Sequence, residues 1–180
     1  AVPAKCIPVY PPGHTFAYDE WHASIAAERT QRDIVGHAIC TVTGFGYAAQ
    51  QRSTAVRDIV AMMSQVVSAE LAIEHQPRVL ILDSKGDVGK SETLRGELQQ
   101  ALKLEVRVAA GDAHEHCVVE SHMDTYTRMT EAAMFRARAV SPPAPKSLMV
   151  ECRIYQVQIC NSKAKSTGSK TRSHEHKRIP

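Results

Sequence analysis

The sequence predicts an α/β domain with a mixed sheet of about five strands flanked by helices. Three observations support this fold class. Residues 53–75 place Ile59, Met62 and Val66 at helical spacing, and Ser53 or Thr54 is suited to capping this helix. The segment RVLILD (78–83) is continuously apolar between turn residues, as in a strand that is buried on both faces. Strand and helix patterns then alternate towards the C-terminus, which is typical of a sheet covered by helices.

The other elements are predicted from local patterns. Residues 14–31 contain two short apolar stretches, TFAY and ASIAA, which favour a strand pair, although ASIAAERT is equally compatible with a helix. The β-branched and aromatic residues of GHAICTVTGFGY (36–47) predict one strand. A helix is predicted over 91–104 and a strand over 105–111. A further helix lies within 116–140, starts between Val118 and Met123, and is ended by SPPAP (141–145). Residues 148–160 are predicted to form a last strand, or a segment that pairs elsewhere.

The composition divides the chain into three parts. Residues 1–13 contain four prolines and are expected to form an extended lead-in. Residues 14–160 have the apolar pattern of one folded domain. Residues 161–180 contain six Lys or Arg and one Glu, so this tail has a charge of +5 and residues 1–160 have −2. We expect a disordered tail that either binds phosphate groups or is simply a solvated terminus.

Cysteine and hydropathy patterns argue against several classes of protein. The five cysteines form no C-x-x-C pair, which disfavours a zinc ribbon or a disulfide-rich secreted scaffold. No apolar run reaches the ~18 residues of a membrane span, and no signal-peptide core is found near the N-terminus. The sequence therefore predicts an intracellular protein, in the cytoplasm, the nucleus or a particle, with no membrane partner.

Four aspartates occupy positions suited to a metal site. They are Asp19 in or just after the first strand, Asp58 in the first helix, Asp83 at the end of the buried strand and Asp124 near the start of the third helix. A carboxylate at the end of an apolar strand points into the crevice where α/β proteins bind ligands. Clustered carboxylates stay ionised only with cations, and Mg²⁺ is the natural counter-ion of oxygen ligands. Two such ions about 4 Å apart clamp the attacking and leaving oxygens of a phosphodiester.

The order and spacing of these residues resemble a ribonuclease H domain, especially the gypsy-like type attached to the reverse transcriptases of retroelements. STAVRDIVAMM (53–63) resembles the start of the family's first helix, with Asp58 where the family has Glu. RVLILDS (78–84) resembles its strand that ends in Asp-Ser or Asp-His. EVRVAAGDAHEHCVVESHMDTYTR (105–128) resembles its ending, a strand and a Gly-containing loop followed by Asp-x-Leu-Ser-Arg.

This resemblance implies a metal-dependent endonuclease that cleaves the RNA strand of RNA–DNA hybrids, with reverse transcriptase domains of the same polyprotein as partners. It implies that Asp19, Asp58, Asp83 and Asp124 hold two Mg²⁺ ions, or Mn²⁺ in their place. Asp112 replaces the family's loop histidine, so His114 or His116 is the candidate for proton transfer. The candidate contacts to nucleic acid are Lys85, Lys90, Arg95, Lys163, Lys165, Lys170 and Arg172.

Two other functions remain open from the sequence. KGDVGKS (85–91) resembles the deviant Walker A loop of ParA/MinD-type ATPases, with Asp87 in place of a glycine, and lies between a predicted strand and a predicted helix. A P-loop ATPase, however, needs more parallel strands after this loop than the sequence predicts. The other alternative is a ribonuclease H-like fold that serves as a binding or scaffold module without catalysis.

Overall fold

The structure, a computed structural model, describes residues 10–84, 86–109, 114–162 and 172–176, which form five strands and six helices. The strands are β1 (Thr15–His22), β2 (Ile34–Cys40), β3 (Gly46–Gln51), β4 (Val79–Leu82) and β5 (Glu105–Val108). The helices are α1 (Val56–Leu71), α2 (Asp87–Lys90), α3 (Glu92–Leu102), α4 (His114–Arg138), α5 (Met149–Ser162) and α6 (Arg172–His176), with a 3-10 turn at Lys146–Leu148.

The five strands form one mixed sheet in the order β3–β2–β1–β4–β5. β1, β2 and β3 are antiparallel neighbours, whereas β4 and β5 run parallel to β1. The predicted fold class, a mixed five-stranded sheet flanked by helices, is confirmed.

Helices cover both faces of the sheet, and alternate strand residues divide between two apolar cores. Phe16 and Leu80 pack against α1 and α3 on one face. Ala17 and Ile81 pack against α4 and α5 on the other face. Burial on both faces explains why β4 reads as an unbroken apolar run rather than an alternating one.

The segment predicted as a last strand over 148–160 is instead helix α5, so that prediction is wrong. Its buried positions, which include Val150, Val157 and Cys160, recur at helical spacing. Arg153 and Gln156 are also buried on this face. Because these polar residues interrupt the apolar periodicity, the helical pattern was hidden and the remaining apolar residues suggested a strand.

Three other boundaries differ from the predictions. The single strand predicted over 36–47 is a hairpin of β2 and β3, because Gly44, with a φ of +70°, closes a tight turn. ASIAA (23–27) is a loop, although Ala23 and Ala27 are buried. α4 begins at His114, before the predicted start.

Part of the predicted disordered tail is ordered. Residues 161 and 162 complete α5, and residues 172–176 form α6, in which His176 is fully buried. Residues 1–9 of the predicted lead-in and residues 163–171 and 177–180 of the tail lie outside the described residues. Among the helices that the structure describes, none combines the length and apolar character needed to cross a membrane.

Candidate metal-binding cleft

Asp19 and Asp83 are neighbours on two parallel strands. β1 and β4 pair with Tyr18 opposite Leu82, so the next residues along the chain are Asp19 and Asp83. Paired strands lie about 4.8 Å apart. Both aspartates line one cleft beyond the ends of these strands. The structure therefore brings together two of the four predicted aspartates at one crevice of the sheet.

The cleft is acidic beyond these two residues. Glu20 and Asp87 also line it. The backbone N–H of Glu20 donates to Asp19 Oδ1 at 2.8 Å, which orients the Asp19 carboxylate. Burial raises the pKa of Glu20, although a hydrogen bond from the Tyr18 hydroxyl at 2.9 Å opposes this shift. Oxygen donors thus dominate the polar lining, which suits a hard divalent cation.

Residues 86–89 line one wall of the cleft. Asp87–Lys90 form the short helix α2, and the Ser91 hydroxyl caps α3 by accepting a hydrogen bond from the Leu94 N–H at 3.3 Å. Gly89 packs directly on the carbonyl oxygen of Asp83 and accepts a hydrogen bond from Arg95. A helical turn that packs on Asp83 does not leave its backbone N–H groups free to surround a phosphate. In addition, only β1, β4 and β5 are parallel among the described strands, which is fewer than a P-loop ATPase needs. This geometry contradicts the Walker A interpretation.

The close approach of Gly89 to Asp83 predicts a stability effect. A Cβ added at Gly89 would overlap the Asp83 carbonyl oxygen, so Gly89→Ala is expected to lower the free energy of unfolding by about 1–3 kcal/mol. Gly96→Ala is the matched control. A Cβ at Gly96, within α3, meets no atom within 4 Å, so this change is expected to stabilise by about 0.5–1 kcal/mol. Urea unfolding of both variants checks the prediction, and equal effects would contradict it.

Helix α4 lies across the two strands that carry the aspartates. Val119 points into the core that contains Ala17 and Ile81. His122 lies on one flank of the helix and contacts Gly44 in the β2–β3 turn. A Cβ added to Gly44 would be only 2.8 Å from His122 Nε2. This turn is beside the start of β1, since the N–H of residue 41 bonds the carbonyl of residue 15. The opposite flank of α4 therefore faces the ends of β1 and β4.

Two carboxylates, Glu120 and Asp124, lie on the flank of α4 that faces the strand ends. At 3.6 residues per turn, Glu120 is roughly 100° and Asp124 roughly 140° around the helix from the inward-facing Val119. Both side chains are exposed, and Glu120 is the closer of the two to Val119 in angle around the helix. The ribonuclease H resemblance selects Asp124, and the helical phase set by Val119 adds Glu120 as a second candidate.

Asp58 is not brought to the cleft. It lies on α1, which packs on the face of the sheet opposite α4, and it lines a separate groove with Arg32 and Arg57. Its carboxylate accepts a hydrogen bond from the Ser53 hydroxyl at 2.5 Å. Asp58 is therefore not among the residues that line the acidic cleft, although Thr54 and the next residue of α1, Ile59, are. That Asp58 joins Asp19 and Asp83 around the same ions stays a prediction.

The other predicted residues are dispersed. Lys90 is exposed at the end of α2, next to the cleft wall, whereas Arg95 is engaged with the Gly89 carbonyl. Arg172 lies by Gly44, at the other end of β1. Four other candidates fall outside the described residues: Lys85, Lys163, Lys165 and Lys170. The backbones of His114 and His116 belong to α4, but their side chains are outside the described part of the structure.

A buried arginine, which sequence reasoning did not single out, links α4 to the sheet near Asp19. Arg153 of α5 donates to His37 Nε2 at 3.2 Å, to Thr127 Oγ1 at 2.9 Å and to the Met123 carbonyl oxygen at 3.1 Å. His37 is paired with Asp19 in the β1–β2 register. Burial lowers the pKa of Arg153 to about 10, an effect that the Asp19 carboxylate opposes. Burial, and then the charge of Arg153, hold the pKa of His37 well below its usual value, so His37 accepts this hydrogen bond as a neutral ring.

The fold is similar to that of retroviral integrase catalytic cores. No family model and no curated protein matches the sequence. A chain of the simian T-cell lymphotropic virus intasome in complex with PP2A regulatory subunit B56 gamma is similar with a TM-score of 0.67 and 12% identity, over 92% of this chain and 55% of that chain. This chain therefore spans about half the length of that one.

Two isolated catalytic cores match over nearly their whole length. The HTLV-2 integrase catalytic core domain in complex with magnesium has a TM-score of 0.63 and 13% identity, over 92% of this chain and 97% of that chain. The BIV integrase catalytic core domain has a TM-score of 0.63 and 13% identity, over 91% and 93%. These likenesses show a fold of the ribonuclease H-like type, and they do not single out a ribonuclease H domain within it.

Proposed function

We propose that this protein carries out metal-dependent phosphodiester cleavage or transfer on nucleic acid, in the cleft beyond the ends of β1 and β4. The observation that carries the proposal is the pairing of Asp19 and Asp83 in register at the open ends of two parallel strands. The similarity to the HTLV-2 integrase catalytic core domain, which is in complex with magnesium, supports the same chemistry.

The donor set of the cleft fits Mg²⁺ or Mn²⁺, because its ligands are carboxylate oxygens. Asp19 and Asp83 would hold the cation together with a carboxylate of α4, which is Asp124 in the sequence prediction and Glu120 by helical phase. Bound there, two ions would lower the pKa of an attacking water and stabilise the charge on the phosphate. The backbone N–H of Glu20 keeps the Asp19 carboxylate oriented for this role.

The sequence supports a more specific proposal for the substrate. The ribonuclease H resemblance favours cleavage of the RNA strand of an RNA–DNA hybrid, recognised through phosphate and 2′-OH contacts and helix shape. Lys90 beside the cleft and the basic residues at 85, 163, 165 and 170 are proposed contacts to the phosphates. Reverse transcriptase domains of one polyprotein, and a larger integrase-type assembly, are the proposed partners.

The test is a substrate panel with end-labelled RNA–DNA hybrid, duplex DNA and duplex RNA, each with Mg²⁺, with Mn²⁺ and with EDTA. We expect cleavage of at least one substrate that requires the divalent ion and is lost in Asp83→Asn. Cleavage of the hybrid alone supports ribonuclease H activity, whereas cleavage or joining of DNA ends alone overturns the hybrid proposal and supports an integrase-type reaction. A folded wild-type protein that is inactive on the whole panel contradicts catalysis and favours the scaffold alternative.

A further inference from the structure

A second cluster of metal-ligating side chains lies at the opposite end of β1 from the acidic cleft. Glu70 in the last turn of α1, His75 in the loop before β4 and His176 in α6 come together there. One ligand atom from each lies within 4.8 Å of the other two. Glu70 and His176 are fully buried and His75 is 5% exposed, so these polar side chains interact with one another and not with solvent.

The Glu70 carboxylate lies between the two imidazoles. Its Oε2 is 2.7 Å from His75 Nδ1, and its Oε1 is 2.7 Å from His176 Nε2. His75 Nε2 is buried and has no hydrogen-bond partner among the described residues. The three candidate ligands pair with one another, so a metal ion bound here would take the place of the protons in these two hydrogen bonds.

Groups around the cluster orient its ligands. Thr43 Oγ1 lies 3.0 Å from His176 Nδ1, the nitrogen that faces away from Glu70. The ring of Phe45 stacks on His176 with a centroid separation of 4.4 Å and an angle of 6°. Such an outer partner on the second ring nitrogen, together with tight packing, is what fixes the tautomer and orientation of a metal-binding histidine.

We propose that Glu70, His75 and His176 form a buried Zn²⁺ site. Two imidazole nitrogens and one carboxylate are a donor set that zinc uses in proteins, and imidazole favours zinc over the hard Mg²⁺ expected in the cleft. With zinc bonds of about 2.1 Å in a tetrahedron, neighbouring ligand atoms stand about 3.4 Å apart. The present 2.7 Å contacts reach that spacing with shifts of a few tenths of an ångström in each side chain.

The site has a structural role in attaching the C-terminal segment. α6 has five residues, and a helix of that length is not stable by itself in water. His176 bonds to Glu70 on α1 and to Thr43 in the β2–β3 turn, two elements distant in sequence. Zinc at this point joins α6 to the body of the domain, so metal binding is coupled to ordering of the segment. This role does not depend on the proposed activity of the cleft.

The test is zinc binding by the full chain. The protein is stripped with chelator, dialysed against Zn²⁺ and washed, and its metal content is measured by mass spectrometry. We expect about one zinc per wild-type chain and a loss of at least about ten-fold in affinity for His75→Asn and His176→Gln, which keep a polar atom near the original nitrogen. His22→Gln, at the exposed end of β1, is the matched histidine control and should keep zinc. Asp83→Asn should also keep it, which separates this site from the cleft.

A second measurement covers the case in which a variant folds poorly. Removal of zinc from the wild-type protein is expected to lower its melting temperature and to expose the peptide bond after Arg172 to trypsin, and added Zn²⁺ should reverse both effects. Equal zinc content in the wild type and in His176→Gln, with no effect of chelator on melting or trypsin cleavage, would overturn the proposal. The cluster would then be a hydrogen-bonded ion pair only.

Discussion

Asp19→Asn and Asp83→Asn are each expected to reduce the metal-dependent rate at least about 100-fold on whichever substrate the protein cleaves. Each change keeps the shape of the side chain but removes a negative charge from the place where the two strands bring their carboxylates together. Loss of metal-based stabilisation of several kcal/mol corresponds to two or more factors of ten in rate. Initial rates measured across a range of Mg²⁺ concentrations check this expectation.

Asp58→Asn is the matched control for these variants. Asp58 lines a separate groove with Arg32 and Arg57, so the rate of Asp58→Asn is expected to stay within about two-fold of the wild type. A loss comparable to that of Asp83→Asn would show that α1 presents this carboxylate to the ions after all, as the ribonuclease H resemblance implied. It would also contradict the placement of the cleft described above.

The third carboxylate is assigned by a second pair of variants, Glu120→Gln and Asp124→Asn. Both residues lie on one flank of α4, and Glu120 is the closer of the two to the inward-facing Val119 in angle around the helix. We expect the larger loss of rate, again at least about 100-fold, in Glu120→Gln. A larger loss in Asp124→Asn would instead support the assignment made from the sequence.

Arg153→Ala is expected to lower the free energy of unfolding by about 3 kcal/mol or more. The guanidinium is fully buried, and its removal takes away the donor to His37 Nε2 and to Thr127 Oγ1 and one of the donors to the Met123 carbonyl oxygen. It also removes a cation that lies 4.9 Å from the centroid of the Trp21 ring. Because these contacts connect α5, α4 and β2, the loss should appear as a lower midpoint of cooperative urea unfolding.

Arg136→Ala is the control for this stability prediction. Arg136 is exposed in the last turn of α4, and such surface substitutions usually change stability by less than about 0.5 kcal/mol. A change below about 1 kcal/mol for Arg153→Ala would contradict the interpretation of Arg153 as the link between α4 and the sheet.

The sequence alone was sufficient for the features that depend on apolar periodicity. α1, α3 and β4 were predicted close to their observed bounds, because each buries apolar side chains at the spacing of its own element. The same reasoning placed Asp83 at the end of a buried strand and hence in a crevice. The sheet class followed from the order of these elements.

Only the tertiary structure decided which polar side chains meet. The helical state of residues 149–162 depends on the burial of Arg153 and Gln156, whose partners are distant in the chain. The separation of Asp58 from Asp19, and the burial of His176 against Glu70, depend on how the helices rotate and dock. Local patterns report where apolar surface is buried, but a polar residue becomes buried only when distant segments supply its hydrogen bonds, and no local spacing encodes that pairing.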